Sequence, residues 1–186
     1  QSRATEMADW IEATLIDPET HLVFDGIKEG SLVRAQYTYC QGVVVGLETE
    51  LAVRTGDARH GARVARLVEA IGANMAPGGV LKGAGGGDGG LFAGITARYL
   101  ALAANELPDD TATRAAARDI VLASATAAWD NRAEVDGLPL FAAFWDRAAE
   151  VPGKTGGSGG KVDGAVFESP ETERDLSVQV SGWMLM

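Results

Sequence analysis

The chain has 186 residues, a formal net charge of -10 and a hydrophobic content of 46%. This length is enough for one domain with a sizeable core. The acidic balance argues against nucleic acid or anionic lipid as a partner, because both require a surplus of Lys and Arg. A neutral ligand such as a sugar is compatible with the charge.

The cysteine count and the apolar pattern argue against a disulfide, a zinc site and a membrane span. Cys40 is the only cysteine, so no internal disulfide can form, and no Cys/His spacing is typical of a zinc site. We therefore expect no metal and no cofactor. No run of about 18 apolar residues is present, so no membrane span is predicted.

Apolar residues three and four positions apart predict six helices. In chain order they cover about residues 4–15, 38–55, 58–75, 91–107, 110–132 and 175–186. Asp17-Pro18 ends the first helix, and Asp109 or Asp110 is expected to cap the fifth. The last helix carries no stop signal and the chain begins at Gln1, so we expect it to be part of a longer polypeptide.

The segments between helices alternate in length. Asp25-Gly26 predicts a short hairpin over residues 21–27, glycine dominates residues 78–90, residues 133–174 read as irregular, and residues 153–164 are composed like a flexible loop. Paired helices of this kind must bury an apolar face on neighbouring pairs. The spacing is not a regular repeat, which favours a closed toroid over a solenoid, with function-bearing loops at one end.

Five motifs occur in the order found in glycoside hydrolase family 76, the α-1,6-mannanase type, and the sequence resembles that family over about three quarters of its length. They are Tyr37-Thr38-Tyr39-Cys40-Gln41-Gly42, Arg54-Thr55-Gly56-Asp57-Ala58-Arg59, Gly87-Asp88-Gly89-Gly90-Leu91-Phe92-Ala93-Gly94-Ile95, Ala128-Trp129-Asp130-Asn131-Arg132 and Ser177-Val178-Gln179-Val180-Ser181-Gly182. The resemblance implies an all-α fold, in which residues 1–186 form the C-terminal portion, about half, of a single (α/α)6 toroid. The location stays open, with a secreted or cell-envelope protein slightly favoured over a cytoplasmic one.

The resemblance also implies a retaining mechanism that uses two neighbouring aspartates, whose carboxyl groups would lie roughly 5–5.5 Å apart. The only Asp-Asp pair in this chain is Asp109-Asp110. Because this pair opens an alanine-rich helix, capping explains it fully. The catalytic pair is therefore expected outside this chain, on a missing N-terminal half or a second chain.

Five residues are candidates for contact with an α-mannan or a mannosyl oligosaccharide. Aromatic faces pack on sugar rings, and amides and carboxylates bond to sugar hydroxyls. The candidates are Tyr39, Gln41, Asp88, Trp145 and Gln179. For each of them, a helix cap or a core position is the competing interpretation.

Other residues are expected to be structural. Trp10 and Trp129 have core spacing, Cys40 is expected to be a buried small side chain, and His60 is expected at a solvated helix start. Cys40 and Ala93 replace an asparagine and a lysine of the family pattern.

Three functions remain open. The first is hydrolysis of α-1,6-linked mannosides, with this chain supplying cleft residues. The second is a non-catalytic glycan-binding or remodelling toroid, in which Cys40 and Ala93 mark the lost chemistry. The third is a related toroid enzyme, such as an unsaturated-glycan hydrolase or a sugar epimerase, which usually requires histidines. Only His21 and His60 are available.

Overall fold

The computed structural model describes residues 2–108, 110–153, 160–161, 167–169 and 171–186. Its helices are α1 (Ser2–Thr14), α2 (Thr38–Thr55), α3 (Ala58–Met75), α4 (Gly89–Glu106), α5 (Thr111–Asp130) and α6 (Leu176–Trp183). All six predicted helices are present, although α6 ends three residues before the last residue. Asp109, and positions 154–159 and 162–164 of the loop predicted over 153–164, lie outside the described residues.

Short antiparallel β-hairpins lie in the connections between the helices. They pair β1 (Gly26–Lys28) with β2 (Ser31–Val33), β3 (Ala133–Val135) with β4 (Leu138–Leu140), and β5 (Gly160–Lys161) with β6 (Phe167–Glu168). The first hairpin turns at Glu29-Gly30, where φ is 52° and 78°, and not at the predicted Asp25-Gly26. A two-residue hairpin turn with positive φ at both positions matches the twist of the strands.

The helices form an arc in two layers, in which α2 with α3 and α4 with α5 are helical hairpins joined by short connections. Helices α2, α4 and α6 pack side by side in an inner layer, while α3 and α5 contact each other in an outer layer. Helix α1 joins the outer layer through ion pairs from Asp9 to Arg63 and from Glu12 to Arg66. None of the helices in the described residues combines the length and apolar character needed to cross a bilayer.

Small residues allow the inner helices to approach closely. A Cβ added at Gly42 of α2 would lie 2.7 Å from the Thr96 Cα of α4, and one added at Gly94 of α4 would meet Ser181 of α6. Gly46 likewise faces Tyr99, and Gly90 faces Ser177. Residue numbers rise together on both sides of each interface, so the three inner helices run parallel.

Exposed apolar side chains lie at the edges of the arc. Large exposed hydrophobic residues occur on α1, α2, α5 and α6, whereas α3 and α4, which the structure describes throughout, carry none. Trp10 and Trp129 are 45% and 41% exposed, so their predicted core positions were wrong. Helical spacing identifies an apolar face but does not reveal what covers it.

Candidate functional site

The three long connections meet at one end of the arc. Residues 15–37, 76–88 and 131–175 each lead from an outer helix to the N-terminus of an inner helix, whereas the connections 56–57 and 107–110 at the opposite end are short. Because the inner helices are parallel, their N-termini lie together at the long-loop end. The Gly87 N–H donates to Asp175 Oδ2 at 2.7 Å, which joins the glycine-rich connection to the start of α6.

Three aromatic rings cluster at this end. The ring centroid of Tyr39 lies 4.6 Å from that of Phe92 and 6.1 Å from that of Tyr37, and Tyr37 and Phe92 are 5.5 Å apart. Tyr37 is 43% exposed, and Tyr39 is half-buried. An aromatic face that is partly open beside polar groups is the surface on which the C–H side of a sugar ring packs.

Asp25 fixes the Tyr39 ring from the connection between α1 and α2. The Tyr39 hydroxyl donates to Asp25 Oδ1 at 2.5 Å, and the Cys40 Sγ lies 3.6 Å from the same oxygen. The hydrogen bond to Asp25 is the main cause that raises the pKa of Tyr39 above its ordinary value. Burial raises the pKa of the Cys40 thiol, which is 4% exposed, as predicted for a buried small side chain.

Substitution of Asp25 by asparagine is expected to lower the pKa of Tyr39 toward the ordinary tyrosine value of about 10. The carboxylate stabilises the neutral phenol, because ionisation would place two negative charges together. The hydrogen bond between Tyr39 and Asp25 therefore contributes to stability below about pH 10, and this contribution is lost as the pH rises toward the pKa of Tyr39 in the folded protein. Ultraviolet titration of tyrosinate measures the shift, and Tyr39→Phe assigns it. An unchanged titration curve in Asp25→Asn would contradict the pairing.

Two of the predicted site residues are glutamines that hold loops. The Gln41 Oε1 accepts from the Val23 N–H at 2.6 Å, and its Nε2 donates to the carbonyl oxygens of Val23 and Tyr37 at 2.9 Å each. Gln179 repeats the pattern on α6. Its Oε1 accepts from the Phe141 N–H at 2.9 Å, and its Nε2 donates to the carbonyl oxygens of Phe141 and Glu173 at 3.0 and 2.9 Å.

Burial separates the five candidates. Gln41 is 0% exposed and Trp145 is 3% exposed, so neither presents a surface to a ligand in this structure. Asp88 is exposed at the start of α4, and its side chain makes no capping hydrogen bond. Gln179 is half-buried like Tyr39, but its amide is already bonded to the main chain, so Tyr39 and Asp88 are the two partly open candidates whose side chains do not hold a loop in this way.

Asp110 lies at the opposite end of the arc. Its carboxylate caps α5, accepting from the Thr113 N–H at 2.9 Å, and this bonding to Thr113 lowers its pKa. Helix α4, with 18 residues, separates it from Asp88. At about 1.5 Å per residue that is roughly 27 Å, so Asp110 cannot act together with Asp88.

His60 departs from its predicted surroundings. It is 0% exposed, and its Nδ1 lies 2.5 Å from Glu48 Oε2, so the expected solvated position was wrong. The described residues hold no group of three or more His, Cys, Asp or Glu side chains placed to bind a metal ion.

A family model described as glycosyl hydrolase family 76 matches residues 1–155. Among solved structures, the GH76A α-1,6-mannanase from Salegentibacter sp. HEL1_6 is 29% identical with a TM-score of 0.75, over 97% of this chain and 49% of that chain. An inactive variant of that mannanase, with two consecutive aspartates changed to asparagine, was solved in complex with α-1,6-mannotriose, and is 28% identical with a TM-score of 0.74, over the same shares of both chains.

A further match is the Lin0763 protein from Listeria innocua, which is 25% identical with a TM-score of 0.72, over 99% of this chain and 46% of that chain. No curated protein sequence matches the chain significantly. The chain spans about half the length of the structures that it matches, and its arc is half of an all-α toroid, as predicted. With residues 1–155 matched by the family model, the chain belongs to glycosyl hydrolase family 76.

Proposed function

We propose that this chain is the C-terminal half of a toroid that hydrolyses α-1,6-linked mannosides, and that it supplies part of the cleft wall. The observation that carries the proposal is that the Tyr39 and Phe92 rings and the exposed carboxylate of Asp88, which does not cap α4, lie at the same long-loop end. Solved relatives that match nearly the whole chain include an α-1,6-mannanase, and one of its inactive variants is in complex with α-1,6-mannotriose.

The five candidate residues have different proposed roles. Tyr39 and Asp88 contact the glycan, with Tyr39 stacking on a sugar ring and Asp88 accepting from sugar hydroxyls. Gln41, Gln179 and the buried Trp145 act through the loops that they hold in place, since their side chains are bonded or packed within the chain.

The catalytic pair comes from polypeptide outside these 186 residues. Two consecutive aspartates are changed in the inactive mannanase variant, and the only such pair in this sequence is Asp109-Asp110. The carboxylate of Asp110 caps α5, and Asp110 lies near the C-terminal end of α4, whereas Asp88 lies at its N-terminal end. A retaining mechanism requires carboxyl groups roughly 5–5.5 Å apart on either side of one bond, so Asp110 and Asp88 cannot form that pair.

The edges of the arc are the surfaces that the other half covers. Met7 and Trp10 on α1 are 54% and 45% exposed, and Leu176, Val180 and Trp183 on α6 are 76%, 39% and 56% exposed. Apolar patches of this kind are typical of surfaces that a partner buries. A cavity of about 770 Å³ along α2 and α4, lined in part by Val43, Leu47 and Leu102, belongs to the inner face of the same incomplete ring.

The decisive experiment combines this chain with a polypeptide that carries the three N-terminal hairpins and follows the release of reducing ends from α-1,6-mannan. We expect no hydrolysis by this chain alone and hydrolysis by the completed ring.

Asp88→Asn in the completed ring should lower kcat/KM roughly 10- to 100-fold, because a hydrogen bond to a charged group contributes about 1.5–3 kcal/mol. The control Asp110→Asn should leave kcat/KM unchanged.

Two outcomes would redirect the proposal. Hydrolysis by this chain alone would contradict the placement of the carboxylates outside it. A completed ring that binds α-1,6-mannotriose without hydrolysing it would instead identify a non-catalytic glycan-binding toroid.

A further inference from the structure

A second cleft opens beside the aromatic cluster and contains none of the five candidate site residues. Its volume is about 320 Å³, and it lies between the start of α2, the end of α3 and the glycine-rich connection. The lining residues that matter are Gln36, Tyr37, Thr38, Asn74, Lys82 and Phe92. The volume falls in the range of roughly 300–1,000 Å³ that is usual for small-molecule sites.

The wall of this cleft combines one open aromatic face with unused hydrogen-bonding groups. Tyr37 is 43% exposed and is braced by Phe92, with 5.5 Å between ring centroids. The Lys82 Nζ donates to the main-chain oxygen of Asn74 at 2.8 Å, which leaves two of its N–H groups for a ligand. The Gln36 Nε2 donates to Asp17 and Thr20, and no hydrogen bond from a described residue reaches its side-chain carbonyl oxygen.

Thr38 gives a second and independent indication of a ligand. The residue is 8% exposed and lines the cleft, and its Oγ1 has no hydrogen-bond partner among the described residues. A buried hydroxyl without a partner is rare and costs about 1–3 kcal/mol. The oxygen itself has almost no exposed surface, so a ligand hydroxyl in the cleft satisfies it once the Thr38 side chain turns toward the cleft.

These groups point to a neutral polyol. The cleft offers both donors and acceptors, and of the described residues that line it Lys82 alone carries a formal charge. An anion would normally be met by several cations or by a bidentate arginine. Tyr37 also lies in a stacked pair with Tyr39, at 6.1 Å between ring centroids, so the cleft and the proposed contact residues share one row of aromatic rings.

We infer that this cleft is a further saccharide subsite, which takes one hexopyranose unit of the glycan and stacks it on Tyr37. This inference rests on the proposed function, from which the identity of the glycan as an α-1,6-mannoside is taken. Gln36, Thr38 and Lys82 bond to the hydroxyl groups of that unit, while the Tyr37 ring covers its C–H face.

The test is calorimetric titration of this chain with α-1,6-mannobiose, α-1,6-mannotriose and α-1,6-mannotetraose. Affinity is expected to rise with length once the added unit reaches the cleft. Tyr37→Ala should reduce the affinity for the longest ligand roughly 10-fold and abolish the gain with length. Trp10→Ala removes an equally exposed aromatic side chain on α1, far from the cleft, and should change nothing.

Thr38→Val separates ligand binding from a structural role. The Thr38 hydroxyl has no partner to lose among the residues that the structure describes, so this variant should keep or raise the melting temperature while its affinity for the longest ligand falls roughly 2- to 10-fold. If the gain in affinity with length persists in both Tyr37→Ala and Thr38→Val, the subsite is overturned and the proposed function stands. If no mannooligosaccharide binds, the subsite is also overturned, because the cleft lies wholly in this chain, and hydrolysis by the completed ring then decides the proposed function.

Discussion

Replacement of Glu48 by alanine is expected to lower the free energy of unfolding by about 3–5 kcal/mol, because it leaves the largely buried guanidinium of Arg63 and the ring of His60 without their carboxylate partner. Glu48 and His60 have side chains that are 2% and 1% exposed, with 2.5 Å between Glu48 Oε2 and His60 Nδ1. The other carboxylate oxygen of Glu48 accepts from Arg63 at 3.3 Å.

The size of the effect follows from what this network connects. Arg63 on α3 also bonds to Asp9 on α1 at 2.7 Å, so the charges join the inner helix α2 to two outer helices. The hydrogen bond from Arg63 lowers the pKa of Asp9 below its ordinary value. The contribution of the Arg63–Asp9 hydrogen bond to stability is therefore present above the ordinary carboxyl pKa and is lost as the pH falls through the lowered pKa of Asp9.

Chemical denaturation with a linear extrapolation measures the change in the free energy of unfolding. The control is Glu50→Ala on the same helix. Glu50 forms an exposed ion pair with Arg54, and such pairs contribute about 0.3–0.5 kcal/mol. Equal effects of the two substitutions would show that burial of the Glu48 pair carries no special weight.

Substitution of Gln41 by methionine is expected to lower the free energy of unfolding by about 2–4 kcal/mol, since two buried backbone groups lose their partners. Methionine keeps the length of the side chain but cannot bond to the N–H and C=O of Val23, a residue that is 2% exposed. We also expect faster hydrogen exchange at the Val23 amide.

Gln36→Met provides the comparison on the same segment. Gln36 bonds only to the side chains of Asp17 and Thr20, which can turn to water, so we expect a change below about 1 kcal/mol. Unaltered exchange at Val23 in Gln41→Met would contradict the structural role of this amide. It would then favour direct contact of Gln41 with the glycan.

The helices were predictable because their signals are local. Thr38 to Thr55 and Ala58 to Met75 match the predicted bounds of α2 and α3, which meet at a Gly56-Asp57 turn. Gly56 has φ of 68°, which suits glycine, and the Asp57 side chain caps α3 through the Arg59 N–H. Cap, stop and apolar spacing agree there, and each depends on only a few neighbouring residues.

Burial was harder to predict because it depends on contacts distant in sequence. His60 is polar and close to a helix start, yet its ring is buried against the carboxylate of Glu48, twelve residues earlier. The first hairpin was misplaced by a few residues because Asp25-Gly26 has the composition of a turn, while the turn itself forms at Glu29-Gly30.

Loops at one end of the helices were predictable from the sequence, whereas the role of Asp25 was not. The contact between Asp25 and Tyr39 joins residues 14 positions apart, across a hairpin whose register was not known. Tyr37, by contrast, was recognisable as an aromatic residue near Tyr39, although its exposure could not be predicted from spacing. Resemblance to the family was the signal that brought Asp88 and Tyr39 together in advance.

Helices α2, α4 and α6 occupy equivalent places in the arc, and their fourth residues are Gln41, Phe92 and Gln179. The two amides hold a neighbouring connection by its main chain, whereas Phe92 packs against Tyr37 and Tyr39 instead. The same structural position therefore anchors a loop on α2 and on α6, whereas on α4 it packs against the proposed contact residue Tyr39. If the proposed function holds, we expect substitutions at Phe92 to change ligand preference while Gln41 and Gln179 keep their loops in place.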